Sequence, residues 1–542
     1  MEEMRRFWMC WVVVGAVACA RAEPRPPAMA NALAERAAPA ELAKAREHGR
    51  AGALVKEADA RLKVDLEGAL EKYGQALELE PTNVGILWKL SLAYEKKEDW
   101  AAVASTLTRA ARLAPGVAAT FHRLGNALVR SAEESEANVY EAARAPLLQC
   151  LKLAPQLADC AYLLGEVEEW ADHPQAAAER YTEAAQHDAT RPHYYRALAA
   201  LYRVFRRTDD AERVLNEGMK RVERGERNRA SLARMSVSLA QLSAGRHDIQ
   251  ASQAWLEQAE ALFDESSPEV AFEIGAIYAA TPDYGAGVSN RERARPILEQ
   301  FVKRTCRGAL AASFKEQCEL SQLMLQLLGA TSAPRSAAKA PPLAVRETPK
   351  PGLPTPQLEM RPLRSGEAYT VWGASYALRS RQHRREVTDK PIAITGYVVR
   401  TNFADAPRCA VHRSGLADPE DCRADIPAFW LGEEPAAAEA DSIKVMGFAS
   451  NYAQLYEAIR QADSQHPDAP YADSYWGQTV PNPLPAAGAK LTVQGNYGLT
   501  FAKASSGAES DPVMGLLDFA EREVLEPAPE LATLPGVKRR KR

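Results

Sequence analysis

Three short-range couples of cysteine are the residues whose type and spacing first suggest chemistry: Cys150/Cys160, Cys306/Cys318 and Cys409/Cys422. Even, local spacings in an exported chain read as disulfides, each contributing about 2–3 kcal/mol. Buried free thiols are the alternative. Cys409, His412 and Cys422 also form a metal-like set, but structural zinc takes four ligands and catalytic zinc three plus water. No CxxC pair accompanies them, so a disulfide is preferred and no metal site is expected. The acidic stretch Asp418, Glu420, Asp421 and Asp425 lacks the alternation and central glycine of a calcium loop and reads as a solvated turn. Trp372 with His383, Arg384 and Arg385 sets arginine beside an aromatic ring, a pattern that can bind nucleic acid. Here it reads as a charged helix face or loop. GxSxG, HExxH and GxxxxGK are missing and the nine histidines are scattered. No catalytic residue is assigned, no cofactor is expected, and the chain is expected not to be an enzyme.

These residues need elements to position them, and the 542-residue chain has room for more than one domain. A net charge of −4 with 25 % charged residues does not point to nucleic acid as a partner. Residues 1–22 read as an export signal: Arg5 and Arg6, then an apolar run from Phe7 to Ala20, too short for a comfortable membrane span. Two cleavage readings compete, and an uncleaved anchor is a third. Ala20-Arg21-Ala22 is a small-x-small site, whereas Ala16-Val17-Ala18-Cys19 resembles a bacterial lipobox despite Ala16 standing where leucine is usual. The lipobox is favoured, making Cys19 a lipid-bearing N-terminus and the protein a membrane-anchored periplasmic lipoprotein.

Pro81 and Pro115 are 34 residues apart, as are Pro155 and Ala189, with a short insertion lengthening the interval between. That period marks stacked helix-turn-helix units. Leu87, Leu90, Ser91 and Tyr94 lead to Val103, Leu107, Ala110 and Pro115. Phe121, Leu124, Gly125 and Leu128 lead to Ala143, Leu147, Cys150 and Pro155. Ala161, Leu164 and Gly165 lead to Ala177, Tyr181, Ala184 and Ala189. Glu168 replaces the expected tyrosine, so looser packing is expected there. Small residues admit close helix approach and large ones fill the remaining gaps; one unit cannot bury its apolar face alone, so neighbours must stack. On these residues the stretch of about 50–305 resembles the tetratricopeptide repeat family. The resemblance implies an all-α superhelix and a scaffold that receives other proteins or peptides in a groove. First-helix positions away from the core, Lys89, His122, Asn126 and Arg196, are the groove candidates.

The expected organisation is a lead over 23–49, a repeat array with a capping helix over 50–329, and a Pro/Ala-rich linker over 330–365. A mainly-β domain over 366–527 and a basic tail over 528–542 follow. Beyond the linker, Ile392, Ile394 and Val398 open a β-type run. Cys409–Val411, Ala428–Leu431 and Ser442–Phe448 read as strands, Asn451–Ala462 as a helix, and Ala489–Phe501 and Met514–Phe519 as strands again. That order resembles an OB-type barrel, with Gly396 and Gly495 at sharply bent strands. Two other functions stay open: the barrel binds a glycan or another ligand while the repeats position it, or the chain is an enzyme of unrecognised type.

Overall fold

The computed structural model describes residues 46–135, 140–246, 248–262, 267–280, 289–308, 310–328, 351–413, 421–462, 470–501, 509–511 and 513–537. The signal segment with Cys19, residues 23–45 of the lead, residues 281–288, residues 330–350, Asp418, Glu420 and the run Lys538–Arg542 lie outside the described residues. By contact the chain groups into two compact units, Met1–Pro115 and Gly116–Arg542.

The first unit contains α1 (46–61), α2 (Leu66–Leu79), α3 (Val84–Lys96) and α4 (Trp100–Leu113). Its helices begin where a short polar side chain takes over orphan backbone donors. Asp65 accepts from Gly68 N–H, Asn83 from Gly85 and Ile86, and Asp99 from Ala102. Each such cap stabilises its helix by about 1 kcal/mol. Tyr73 is buried with Ala58, Ala69, Leu90 and Ala93, so the small-against-large spacing of the sequence is the packing rule of the core.

In the second unit the helices pair as α5 (Ala118–Ser135) with α6 (Tyr140–Leu153), α7 (Ala158–Trp170) with α8 (Pro174–His187) and α9 (Pro192–Val204) with α10 (Thr208–Arg221). Next come α11 (Glu226–Gly245) with α12 (Ile249–Leu262), α13 (Pro268–Ala280) with α14 (Asn290–Thr305), and then α15 (Lys315–Leu327). First helices also touch one another: α5 with α7, α9 with α11, and α11 with α13. The glycines explain the closeness. A Cβ on Gly125 would lie 2.3 Å from Leu147, and one on Gly165 2.6 Å from the Tyr181 ring. Burying such large side chains contributes about 1.5–3 kcal/mol each. The insertion is seen in α5, 18 residues long against 13 in α7 and α9. Glu168 departs from the expectation of looser packing. It is buried and paired with Arg144 of α6 and, at 2.9 Å, with His173, so charge replaces the ring as the tie between neighbouring helices. No helix among the described residues is long and apolar enough to cross a membrane.

The three cysteine couples read in the sequence each form a disulfide. Cys150–Cys160 ties α6 to α7, Cys306–Cys318 joins α14 to α15, and Cys409–Cys422 closes a loop of the mainly-β region. The expected strand at Cys409–Val411 is not formed: Cys409 and Ala410 sit in a turn. Cys409 is instead cross-linked to Cys422, and Ala410 N–H donates to Pro407 C=O at 2.9 Å, a turn bond in place of a ladder. Residues 351–363 also differ from a spacer. The Tyr202 hydroxyl donates to Pro354 C=O at 2.6 Å, Leu358 N–H donates to Gln175 at 3.1 Å, and Leu358 is buried in the helical core.

The remaining elements are β1 (Arg364–Ser365), β2 (Ala368–Thr370), α16 (Val371–Arg379), α17 (Arg384–Val387), β3 (Lys390–Thr401), β4 (Phe429–Gly432) and β5 (Ile443–Met446). They continue with α18 (Tyr452–Ala462), β6 (Tyr471–Ala472), β7 (Thr479–Val480), β8 (Lys490–Gly498), β9 (Thr500–Phe501), β10 (Glu509–Ser510) and β11 (Leu516–Glu526). Hydrogen bonding runs β3-β4-β5-β11-β8 and returns from β8 to β3, a closed ring of five strands with only the β5–β11 pair parallel. Helix α18 lies in sequence between the third and fourth ring strands, the order expected of an OB-type domain. Gly495 answers to close approach, since a Cβ there would fall 2.2 Å from Asp518 C=O. Ile394, Val398, Leu431, Val445, Leu455, Leu491, Val493 and Leu517 fill the interior. Trp430 is buried with Met446 and Phe501, and Trp476 packs against them, so both are core residues.

Candidate functional site

The groove candidates fall in different places. Lys89 belongs to the first unit, where its ammonium is bound to Asp59 at 2.6 Å. Burial would raise Asp59, but the bonds from Lys89 and Tyr73 override it and hold its carboxyl low. His122 and Asn126 stand half-buried on α5. His122 adds its field to Asp159 of α7, which His193 and Tyr194 hold far below the ordinary carboxylate range. Arg196 of α9 lines a cavity of about 220 Å³ together with Tyr162, His193, Arg203, Ser238 and Arg381.

Aromatic and charged groups bridge α7 to α9 beside that cavity. The Tyr162 ring stands 5.4 Å from Tyr194 and 4.7 Å, edge-on, from His193, while the Tyr194 hydroxyl donates to Asp159 at 2.5 Å. Burial pushes Arg196 and Arg203 down from the usual arginine value; for Arg196 the nearby Arg234 adds to the effect. Glu273 is pushed up by burial, although Arg234 and Arg196 act against it.

Sequence reading missed the most connected group. The loop after α16 reaches into the first-helix side of α7. Arg381 Nη2 donates to Glu169 at 2.7 Å and to the Tyr181 hydroxyl at 3.1 Å, and Tyr181 in turn donates to Glu169 at 2.7 Å. Glu166 stands 3.9 Å from the same guanidinium. Burial would lower the Arg381 pKa, but Glu169 and Tyr181 hold it above the ordinary value. Two residues on, His383 bridges Asp172 at 3.3 Å and Glu386 at 2.8 Å. Burial alone would push His383 down; the two carboxylates lift it to about 9.

Around this pair the contacts spread. Tyr376 donates to Asp172 at 2.9 Å, stacks on Trp372 with centroids 4.9 Å apart, and meets Phe205 edge-on at 5.7 Å. Arg379 donates to Val204 C=O at 3.0 Å and to Val513 C=O at 2.6 Å, so one guanidinium joins the end of α9 to the mainly-β region. Arg206 pairs with Asp441, and the Tyr140 hydroxyl donates to Gln382 at 3.3 Å. The charged run His383-Arg384-Arg385 was visible in the sequence; its neighbour Arg381, and the acids two hundred residues earlier that receive it, carried no periodic signal.

Residues 65–98, spanning α2 and α3, match the family model for the tetratricopeptide repeat, described as "TPR repeat". No curated protein matches the chain. Among solved structures, a tetratricopeptide repeat protein from Parabacteroides merdae ATCC 43184 is 16 % identical, with a TM-score of 0.39 over 51 % of this chain and 99 % of that one. Pseudomonas aeruginosa pilF is 17 % identical, with a TM-score of 0.33 over 43 % of this chain and 99 % of that one. MamA from Desulfovibrio magneticus RS-1 is 18 % identical, with a TM-score of 0.29 over 31 % and 93 %.

Proposed function

We propose that this chain is an exported scaffold, tethered to a membrane through a lipid on Cys19, which holds protein or peptide partners against the first-helix face of its repeats. The observation that carries the reading is the stacking of α9 on α11 and α11 on α13, with α5 on α7, which lines polar side chains such as His122, Asn126 and Arg196 along first helices. Such a face recognises a partner by shape and polar complementarity and needs no covalent chemistry. The docked segment with Arg381 already fills part of the α7 stretch, so partners meet the remaining first helices. Three disulfides support a site in an oxidising compartment. A tether would raise the effective concentration of captured partners at the membrane without adding contacts.

Affinity capture from membranes tests the scaffold. The full chain should enrich the same few proteins repeatedly, and the double variant His122→Ala, Asn126→Ala should lose them while keeping its thermal midpoint. Equal capture by that variant sinks the reading. Metabolic labelling with a fatty acid tests the tether: label present on the wild type and missing from Cys19→Ala is expected, and an unlabelled wild type removes the lipid from the proposal.

A further inference from the structure

The cavity between α7 and α9 has a one-sided lining. Its ionisable walls are His193, Arg196, Arg203 and Arg381, with hydroxyls from Tyr162 and Ser238, and no carboxylate lines it among the described residues. The acids that serve these cations stand behind them. Glu169 takes Arg381 at 2.7 Å and Asp159 faces His193 at 3.8 Å. Among the described residues the hydrogen-bond partner of Arg203 is the neutral Gln241, at 2.9 Å, and Glu273 reaches it through space. Among the described residues Arg196 has neither a hydrogen bond nor an ion pair, and Glu273 and Arg234 reach it only through space. Both guanidiniums are half-buried, and neither has a carboxylate within hydrogen-bond or ion-pair distance among the described residues, so two such cations facing one cavity favour an anion.

Size and spacing narrow the ligand. A volume of about 220 Å³ lies below the range of roughly 300–1,000 Å³ for drug-sized ligands, and holds about seven waters at roughly 30 Å³ each. Arg196 and Arg203 are two turns apart on α9, about 10 Å along the axis at about 1.5 Å per residue. Side chains rooted that far apart on one helix are matched better by two linked carboxylates than by one tetrahedral anion, and each guanidinium fork matches a carboxylate edge. We propose that this cavity binds a small dicarboxylate, one carboxylate held by Arg196 and the other by Arg203, with Arg381 forming the opposite wall. Arg196 also stands on the first-helix face proposed above to meet partners, but the succinate test reads the cavity alone, and the capture test uses His122 and Asn126, so the two readings fail separately.

Calorimetric titration of the full chain with succinate at neutral pH and low salt tests it, with acetate as comparator. One saturable site is expected for succinate, at least tenfold weaker for acetate. Arg196→Gln and Arg203→Gln should each weaken succinate at least tenfold, and Lys89→Gln should leave it unchanged. No saturable heat, or equal affinity in Arg196→Gln, overturns the proposal. Should Arg203→Gln fail to fold, the wild type still decides: succinate should slow phenylglyoxal modification of Arg196 several-fold, read by peptide mass spectrometry, and leave exposed Arg50 unprotected. Equal protection of both arginines, or of neither, overturns it.

Discussion

The same backbone turn occurs in three helix pairs and does three different things. Glu98 between α3 and α4, Asp172 between α7 and α8, and Arg206 between α9 and α10 all adopt a left-handed conformation, with φ of 61°, 57° and 58°. In each the repeat dictates the conformation, because the first helix must reverse within a few residues. Glu98 is exposed and has no side-chain partner among the described residues. Asp172 receives Tyr376 and His383, and Arg206 pairs with Asp441. One periodic backbone thus supplies handles that only some side chains use, and the second unit uses two of them to hold its mainly-β region.

A contrast in cross-linking sharpens the comparison and carries the largest expected effect. The helix pairs α1–α4 contain no cysteine, whereas the α6–α7 seam holds Cys150–Cys160 across a separation of 10 residues. Replacing both cysteines with serine should destabilise the second unit by about 3 kcal/mol, the value for so short a loop. Calorimetric melting checks this, and an unchanged midpoint would show the seam to be held by packing alone. Next comes Arg381→Ala. It strands Glu169, only 2 % exposed, but Arg381 itself is 36 % exposed. The loss should therefore fall below the roughly 3–5 kcal/mol of a fully buried pair, at about 2–3 kcal/mol. Proteolysis should then cut within 351–390 faster than in the wild type; an unaltered cleavage rate would mean that the aromatic contacts of Tyr376 suffice.

The comparison also explains what was legible in the sequence. The period of 34 exposed the repeats because every unit must solve the same packing problem, so Leu147, Tyr181 and Leu298 recur in phase with the glycines beneath them. The sequential order of strands around one helix was legible, but the pairing order was not, and the extent of β11 to Glu526 was missed because Glu521, Arg522 and Glu523 look like a solvated loop although they pair with β8. Docking was illegible for a different reason. Asp172 and Arg206 are ordinary turn residues in their own neighbourhoods, and the partners that give them meaning lie 204 and 235 positions away. Contacts made once per molecule leave no period to find.

The seam around Asp172 should respond to pH where the Glu98 turn does not. The groups facing His383 are Asp172, Glu386 and Tyr376, and its pKa in the folded chain, about 9, lies above the ordinary 6.5. Its stabilising contribution is therefore complete below pH about 6.5 and is lost as the pH climbs through about 9. A shift of that size corresponds to about 2–3 kcal/mol once coupling to two carboxylates is discounted. Thermal midpoints of the wild type should fall across that window, and His383→Gln should flatten the fall. A parallel decline in both proteins would place the titration elsewhere.

The smallest effect separates the two turns by sign. Glycine relieves the strain of a left-handed residue, about 1 kcal/mol, but loosens the unfolded chain by nearly as much. Glu98→Gly should therefore be neutral to slightly stabilising, by up to about 0.5 kcal/mol. Asp172→Gly gains the same relief and loses the acceptor for Tyr376 and the counter-charge for His383, so it should destabilise by about 2 kcal/mol. Chemical denaturation of the two variants side by side reads the difference directly. If both shift the same way, the turn is governed by its backbone alone, and Asp172 holds nothing that Glu98 lacks.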